Sequence, residues 1–515
     1  MSGHLFIING DLTKVACDAL LIPTDEGFNI DDPWLEVLGD WTPLAEWGDS
    51  AVISLDAVPK EPQTWLGNVG QVGDDSDFTV FEPVVTEFVE KATAALQHAN
   101  DADRIYASPV PRLAVNVIGS GHGGGANKKG ELIHGLVLAL ERVARSHDVD
   151  IILVAFGDKP YAAAQRARRQ IVSKKPLAET WQFDPEASPD LEKHARRLAD
   201  AAIDSQLVMF IGAGVSVGAG LPAWGDLLRA VALNGGVSTK TVDLLKDKDY
   251  RDQATLLERW LGCDEDGLKQ RVAKELRKAS RYSLQHGLLA SLPSKEAVTT
   301  NFDQLFEAAA VTGERDLAIL PANPSDTNGR WLLKLHGSID DADHLILTRS
   351  DFLNMPRQYG ALLGLVQGLL LMRHMVFVGY SLHDEDFHEL MYEVRAARGE
   401  AAKGSSNATV LTLSDDVLER QLWEHDLAIV PMVAASAIDT PKDVAARQLE
   451  LFLDLVGYLA TTSAAFFLDT TYSSLSRDER TLRDSLVVLA KSTRGDEPGS
   501  VGYIVSRFLQ QLGDD

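Results

Sequence analysis

Glycines and polar side chains follow several short apolar segments in the middle of the chain. The stretch from Phe210 to Leu228 reads FIGAGVSVGAGLPAWGDLL and places four glycines between Gly212 and Gly220. Glycine lets backbone N–H groups approach a ligand, and the N-terminus of the helix that follows adds partial positive charge. The loop therefore predicts a cradle for a phosphate or diphosphate. Taken alone, it is also compatible with a tight strand-to-helix turn that binds nothing.

Two more apolar segments end in residues that could do chemistry. AVTTNFDQLFE places Thr300, Asn301 and Asp303 after one segment, and WLLKLHGSID places His336 after another. A carboxamide offers a donor and an acceptor, and an imidazole can take up a proton near neutral pH. Ligands of parallel sheets bind at the carboxyl ends of the strands, so these groups predict one shared site. The structural alternatives are a helix cap for the asparagine and a satisfied strand-end position for the histidine.

The elements that must position these groups alternate between strand-like and helical patterns. HLFIING, DALLIPTD, RLAVNVIGSG and DIILVAFGD predict strands of a first domain, and QLVMFI, AVTT, WLLKL, MVFVG, ATVLTL and LAIVP predict strands of a second. We therefore predict an α/β fold class, with a Rossmann-like parallel sheet in the second domain. The predicted bounds are 1–173 for an α/β domain, 174–189 for a linker, 190–436 for the second domain and 437–515 for a helical C-terminal region.

The helical C-terminal region carries an apolar stripe that includes Leu449, Phe452 and Leu455. We expect most of this stripe to pack against the second domain and a share of it to form an oligomer interface.

Composition narrows the class of protein. The 515 residues carry a net charge of −26, which disfavours direct nucleic-acid binding. Two cysteines, Cys17 and Cys263, exclude both a disulfide framework and a four-cysteine zinc site. The N-terminus lacks the pattern of a signal peptide, and the longest apolar stretch is interrupted by polar residues, so we expect a cytoplasmic protein without a membrane span.

The segment HDEDFHEL offers a candidate metal cluster. Its ligands would be His383, Asp384, Asp386 and His388, but the histidines lack the i, i+4 spacing of helical metal motifs. Acidic residues suit the start of a helix, which is the interpretation we favour, and we predict no metal.

Together the motifs resemble the sirtuin superfamily over roughly residues 190–435. GAGVSVGAGLP is similar to its GAGxSxxxGIP loop, TTNFD to its TQNID block, KLHGS to its catalytic HG and VGYSL to its late GTS segment. GLPAWGDLL, VTTNFDQLFE and LILTRSDF are more similar to the sirtuin-like NADases of bacterial anti-phage defence, of the Thoeris type.

The resemblance implies NAD⁺ as a substrate that is cleaved to nicotinamide and ADP-ribose, or a cyclic isomer, without a metal. It implies Asn301 and His336 as catalytic residues, the first holding a ribose hydroxyl or water and the second acting as general base. Asp303 would orient Asn301 or bond the nicotinamide amide. The residues implied to bind NAD⁺ are Gly212, Ala213, Gly214, Ser216, Thr300, Asp303, Gly379 and Ser381, with the glycine loop and Ser216 on the diphosphate and the last two beside the adenosine.

Two differences from the deacetylases of the superfamily affect the activity that we expect. Their four-cysteine zinc module has no counterpart here, and Trp224 and Gly225 replace a phenylalanine–arginine pair. Both favour an NAD⁺ hydrolase that acts as a regulated defence effector. A protein deacylase or ADP-ribosyltransferase, and a non-catalytic NAD or ADP-ribose sensor, are the alternatives.

The first domain resembles a macro domain through FIINGDLTKVACDALLIPTD and a glycine-rich loop from Gly119 to Gly125. The resemblance implies that this domain binds ADP-ribose or a nucleotide signal, with His122 beside a diphosphate. The alternative is a degenerate regulatory or oligomerisation domain. We also expect a homo-oligomer, and a partner defence protein such as an ATPase fits this class of effector.

Overall fold

The computed structural model describes residues 1–515 except 40, 43–45, 57, 59–60, 71–77, 99–105, 107, 120–126, 174, 184–187, 263–265, 314, 325–328, 383–384, 399–407, 438, 463, 473, 494 and 514–515. The described chain divides into two compact units. Unit 1 consists of Met1–Gln182, Thr312–Glu314 and Gly457–Asp515, and unit 2 of Phe183–Val311 and Arg315–Val456.

The strands are β1 (Leu5–Asn9), β2 (Ala19–Thr24), β3 (Val52–Ser54), β4 (Gln63–Asn68), β5 (Arg112–Asn116), β6 (Asp150–Ala155), β7 (Leu207–Ile211), β8 (Glu296–Thr299), β9 (Leu317–Leu320), β10 (Arg330–Lys334), β11 (His374–Val378), β12 (Ala408–Thr412) and β13 (Ala428–Pro431).

The α-helices are α1 (Asp32–Leu38), α2 (Glu82–His98), α3 (Lys129–His147), α4 (Asp158–Val172), α5 (Leu177–Trp181), α6 (Ser188–Ile203), α7 (Gly214–Val217), α8 (Trp224–Asn234), α9 (Thr239–Leu245), α10 (Tyr250–Leu261), α11 (Leu268–Leu276), α12 (Leu284–Ser291), α13 (Leu305–Ala310), α14 (Arg349–Gln358), α15 (Gly360–Met372), α16 (Glu385–Arg398), α17 (Val417–Trp423), α18 (Lys442–Ala460), α19 (Arg477–Thr493) and α20 (Val501–Gln510).

Unit 1 is built around a sheet with the strand order β1-β6-β5-β2-β4-β3. Its pairs are parallel except β3 with β4. Helix α3 buries Leu132, Leu136, Leu140 and Val143, the face that its periodicity predicts. The α/β character predicted for this part of the chain is therefore confirmed, whereas its macro-like identity stays a prediction.

The C-terminal region differs from the expectation, because residues 457–515 complete the core of unit 1. Their buried side chains join the cluster formed by α2, α3 and α4, namely Phe466, Phe467, Leu468, Tyr472, Leu475, Ala490 and Leu509. Two ion pairs with α4 accompany this packing: Arg166 with Glu479 at 2.7 Å and Lys159 with Asp469 at 3.6 Å. The expectation that most of the apolar stripe packs against the second domain is wrong for this segment, since periodicity shows which face is buried but not which element covers it.

Part of the predicted linker is also a packed element. Residues 177–181 form α5, and Trp181 is fully buried. Its ring centroid lies 4.8 Å from that of Tyr458, and the guanidinium of Arg168 lies 4.8 Å above the ring. The prolines that suggest a linker stop regular helices, but burial of a single tryptophan fixes this segment to unit 1.

Unit 2 contains an all-parallel sheet with the strand order β13-β12-β11-β7-β8-β10-β9. The predicted Rossmann-like parallel sheet is confirmed. The first strand of this sheet, β7, lies between β8 and β11. Strands β8, β10 and β9 follow on one side of β7, and β11, β12 and β13 follow on the other. A crevice at the carboxyl ends of such neighbouring strands is the usual ligand site of this architecture.

Across the described residues of both units, no helix combines the length and apolar character that a membrane span requires.

Candidate active site

The glycine loop after β7 packs directly against the loop after β11. A Cβ atom on Gly212 would lie 2.4 Å from the carbonyl oxygen of Gly379, and one on Gly379 would lie 2.6 Å from the amide nitrogen of Val215. Gly379 also adopts a φ of +67°, which side chains disfavour. The bare backbone at these positions therefore makes room for another backbone segment.

The same contact uses two of the amides in the loop. Gly212 donates to the carbonyl oxygen of Val378 and Gly214 to that of Gly379, both at 2.9 Å. Ala213 is exposed, and its amide has no hydrogen bond among the described residues. Assignment of this loop to a diphosphate stays a prediction, and Ala213 is the residue whose amide is open to such a ligand.

Asn301 lies at the centre of the site, two residues beyond the end of β8. Its Nδ2 donates to the carbonyl oxygen of Gly212 at 3.1 Å and to Oγ of Ser216 at 3.2 Å. The carbonyl acceptor fixes which end of the carboxamide is nitrogen. The opposite atom, Oδ1, is buried and has no hydrogen-bond partner in the described part of the chain. A buried acceptor without a partner is costly, so Oδ1 is suited to a donor supplied by a ligand.

A buried polar cluster, formed by Ser216, Ser283, His286, Asn301 and Asp303, holds this carboxamide. Ser216 donates to Oδ2 of Asp303 at 2.9 Å, and its Oγ lies 3.4 Å from Nε2 of His286. The Ser283 amide donates to Nδ1 of His286 at 3.2 Å, so Nε2 carries the ring hydrogen. The Ser216 hydroxyl thus connects three side chains of the buried polar cluster.

Burial fixes the charge of His286. The ring is fully buried, and desolvation lowers its pKa to about 4 despite the opposing effect of the Asp303 carboxylate. His286 is therefore neutral at physiological pH and serves as a hydrogen-bond donor. Sequence reasoning missed Ser283 and His286, although the Ser-x-x-His capping box at the start of α12 is a local signal for both.

Asp303 holds the end of the same loop. Its Oδ1 accepts a hydrogen bond from the Leu305 amide at 3.0 Å, at the start of α13. Asn301 is therefore not the N-cap of α13, a position that Gln304 occupies without a side-chain bond, and the Asn301 carboxamide is left to the site.

His336 occupies the equivalent position on the next strand. In the parallel pair of β8 and β10, Lys334 lies opposite Thr299, so Asn301 and His336 both stand two residues beyond paired positions. The pairing continues as the Leu335 amide donates to the carbonyl oxygen of Thr299 at 2.9 Å. Neighbouring strands lie about 5 Å apart, so the two residues share one edge of the sheet. The His336 ring contacts Phe352 edge-on, with centroids 5.2 Å apart.

The remaining predicted residues lie around this edge. Thr300 is half-buried after β8, and Ser381 is exposed after β11. Gly337, next to His336, has a φ of +92°, so glycine is required there. The strand order β11-β7-β8-β10 brings all of the predicted site residues to four adjacent strand ends.

The residues considered for metal binding are only partly described. His383, Asp384 and Cys263 lie outside the described residues, as does the side chain of Asp386. His388 lies 2.7 Å, through Nε2, from the carbonyl oxygen of Leu382. Among the described side chains, no group of three potential ligands could hold a metal ion.

Comparison with known protein families finds a match that covers part of this site. Residues 295–432 match the SIR2-like domain family. This segment contains Asn301, His336 and Gly379, and it begins after the glycine loop. The resemblance to sirtuin-like proteins is thereby confirmed.

Individual relatives point the same way. The chain is 26% identical over 209 residues to the NAD(+) hydrolase ThsA of Enterococcus faecium, covering 39% of this chain and 42% of that protein. It is 25% identical over 207 residues to the NAD(+) hydrolase ThsA of Acinetobacter baumannii (strain 532279), covering 39% and 41%. Defense-associated sirtuin 2 of Bacillus subtilis is 23% identical over 207 residues, covering 39% and 20%. The chain thus spans less than half the length of each of these relatives.

Proposed function

We propose that this chain, which carries a SIR2-like domain at residues 295–432, is an NAD⁺ hydrolase that serves as an NAD⁺-depleting effector in anti-phage defence. The observation that carries the proposal is the Asn301 carboxamide. Its nitrogen is held, its oxygen is buried and unpartnered among the described atoms, and it follows β8, the neighbour of the strand that precedes His336. The names of the relatives, NAD(+) hydrolases and a defence-associated sirtuin, support the substrate and the role.

The reaction breaks the bond between C1′ of the ribose and the nicotinamide nitrogen. The bonding pair leaves with that nitrogen and neutralises its positive charge, while the oxygen of a water molecule adds to C1′. The proton lost by the water passes to His336, because an imidazole is a common general base in such steps. The products are nicotinamide and ADP-ribose, and attack by another group of the same nucleotide would give a cyclic isomer.

The other residues position the substrate and the Asn301 carboxamide. Oδ1 of Asn301 accepts a hydrogen bond from a ribose hydroxyl or the attacking water, and the buried polar cluster keeps the carboxamide from rotating. Each Asp303 oxygen already accepts one hydrogen bond, which favours the role of orienting Asn301 through Ser216. The Ala213 amide contacts the diphosphate, and Gly379 and Ser381 border the adenosine.

The test measures nicotinamide release from NAD⁺ by the full chain. Asn301→Ala and His336→Ala are each expected to reduce kcat by at least about 100-fold, as loss of a positioned catalytic group does. His425→Ala, which removes a histidine whose side chain is 79% exposed, is the matched control and should leave the rate unchanged.

Other outcomes favour different functions. Tight NAD⁺ binding without turnover would indicate a sensor if turnover stays absent after the protein has been treated with extract from infected bacteria. Nicotinamide release that requires an acylated or acceptor protein would indicate a deacylase or a transferase.

We also propose that unit 1 binds ADP-ribose or a related nucleotide, as its macro-like sequence suggests. Most of the implicated loop, including His122, lies outside the described residues. Calorimetric titration of ADP-ribose tests this, and it requires the full chain because residues 457–515 supply part of the core of unit 1.

A further inference from the structure

Lys334, the last residue of β10, is almost completely buried although it carries a charge. Its side chain is 3% exposed. The ammonium group lies 2.6 Å from Oε1 of Glu307, 2.5 Å from the carbonyl oxygen of Asp303 and 3.4 Å from that of Phe302. An ammonium group has three hydrogens to donate, and these three acceptors match that number.

These contacts join the two loops that carry the proposed catalytic residues. Lys334 ends β10 two residues before His336, and the two carbonyl groups belong to the residues that directly follow Asn301 in the loop after β8. Backbone pairing between the strands ends where the Leu335 amide bonds to Thr299. Beyond that point, the Ile339 amide reaches the Phe302 carbonyl at 3.0 Å from the far side of the His336 loop. The ammonium group thus shares the Phe302 carbonyl oxygen with the second of these backbone links.

The energetics of the pair argue for a role besides stability. Burial raises the pKa of Glu307, and the neighbouring Lys334 opposes that shift. A buried ion pair contributes little net stability compared with apolar side chains of the same volume, because both charges lose their hydration. Apolar side chains could fill the space, but they could not bond two carbonyl groups at fixed positions.

We propose that Lys334 is a positioning residue that sets the spacing between Asn301 and His336 by binding the Phe302 and Asp303 carbonyl groups. The proposal rests on the function proposed above. Within that function, it assigns to Lys334 an effect on the rate of the chemical step, with little effect on the binding of NAD⁺.

The test compares a single and a double variant of the full chain. Lys334→Met leaves Glu307 buried without its counter-charge and should lower both the melting temperature and kcat. Lys334→Met with Glu307→Leu replaces the pair by apolar side chains and should restore the melting temperature. If Lys334 positions the loops, kcat for nicotinamide release stays roughly 10- to 100-fold low in the double variant while KM changes little, because small misplacements of reacting groups have effects of this size.

A matched control uses an exposed ion pair of the same unit. Lys278 lies 2.7 Å from Glu275, and its side chain is 62% exposed. Lys278→Met with Glu275→Leu should change neither kcat nor the melting temperature. If the Lys334 double variant regains both stability and wild-type kcat, Lys334 has only a structural role and the proposal is wrong.

Crystal structures of the wild type and the double variant separate this inference from the proposed function. Failure of the wild type to release nicotinamide would refute the proposed function alone. The spacing of the Asn301 and His336 side chains would still decide the inference: a displaced loop supports it, and unchanged positions overturn it. If the double variant does not fold, Lys334→Met with Glu307→Gln supplies the same comparison with a neutral polar partner.

Discussion

At the scale of single residues, the site depends on a histidine that does not touch the proposed substrate position. His286 is buried and neutral, and it lies behind Ser216, which in turn holds Asn301 and Asp303. The protein keeps the imidazole uncharged by removing it from water, at the expense of stability in acid.

A pH dependence of stability follows from this burial. The pKa of His286 falls from 6.5 in the unfolded chain to about 4 in the folded one. The unfolded chain therefore takes up the proton first, and the stability contributed by the neutral ring is complete above pH 6.5 and is lost as the pH falls towards 4. The loss amounts to about 3 kcal/mol, since each pKa unit corresponds to about 1.4 kcal/mol. Unfolding of His286→Gln by denaturant at pH 7 and pH 4.5 should show a smaller pH effect than the wild type.

His374 titrates over the same window, because burial also lowers its pKa to about 4. The variant should therefore keep a residual pH dependence. The exposed His425→Gln is the control and should follow the wild type. Equal pH effects in His286→Gln and the wild type would contradict the assignment of a neutral buried ring.

Sequence patterns revealed the residues of the site that lie in short local motifs. Asn301, Asp303 and His336 each follow an apolar segment, so one-dimensional periodicity and parallel-sheet topology are enough to bring them together. The capping box that joins Ser283 to His286 is local, but the contacts of His286 with Ser216 and of Lys334 with Glu307 join segments that are far apart in the sequence, and no sequence pattern points to them. Such contacts depend on packing, which periodicity does not encode.

At the scale of elements, two loops of unit 2 determine each other's conformation. The loop after β7 and the loop after β11 meet without side chains between them, because β7 and β11 are paired neighbours. The glycines that suggested ligand binding also allow this close packing of the two loops. The sequence alone does not show which of the two functions a glycine serves.

Two glycine-to-alanine substitutions are expected to have opposite effects on stability, because Gly379 lies in this contact and Gly364 does not. Gly379→Ala should destabilise unit 2 by roughly 2 kcal/mol or more, because its φ is +67° and a Cβ would lie 2.6 Å from the Val215 amide nitrogen. Gly364→Ala, in an exposed part of α15 with nothing within 4 Å of the new Cβ, should stabilise the protein by roughly 0.5–1 kcal/mol. Thermal melting followed by circular dichroism measures both, and a neutral result for Gly379→Ala would mean that the two loops are further apart.

The sequence predicted most strands of both sheets, including the edge strands β1 and β13, and missed β3, β4 and β9. Buried runs such as those of β6, β7 and β11 are nearly all apolar, which is a strong signal. Strands β3 and β9 are short and lie at sheet edges, where one side of the strand has no neighbour to bury it. Such strands gain their conformation from pairing, so their own residues show little pattern.

At the scale of the whole molecule, the two ends of the chain belong to one compact unit. Met1–Gln182 and the segment after Val456 both lie in unit 1, and unit 2 is formed by the sequence between them apart from Thr312–Glu314. Domain order read along a sequence does not anticipate this arrangement, because helical periodicity carries no information about the partner of a buried face.

Substitutions in the C-terminal helices should therefore act on unit 1. Leu509 of α20 is fully buried, and Leu509→Ala is expected to cost roughly 2–5 kcal/mol of stability in that unit. Leu482→Ala, at a side chain that is 54% exposed in α19, should change stability by less than about 0.5 kcal/mol. Hydrogen exchange localises the effect: faster exchange in β5 and β6 is expected, and faster exchange confined to β7, β8 and β11 would contradict the assignment.

Because unit 1 contains residues from before and after unit 2, the two units are completed in a fixed order during synthesis on the ribosome. All the residues of the second unit have been synthesised before the final segment of the first unit emerges, so the proposed catalytic half can reach its native state while its companion still lacks part of its interior. A nascent chain that stalls, or a product cut near Val456, would then contain all the residues of the second unit and a first unit that lacks part of its core.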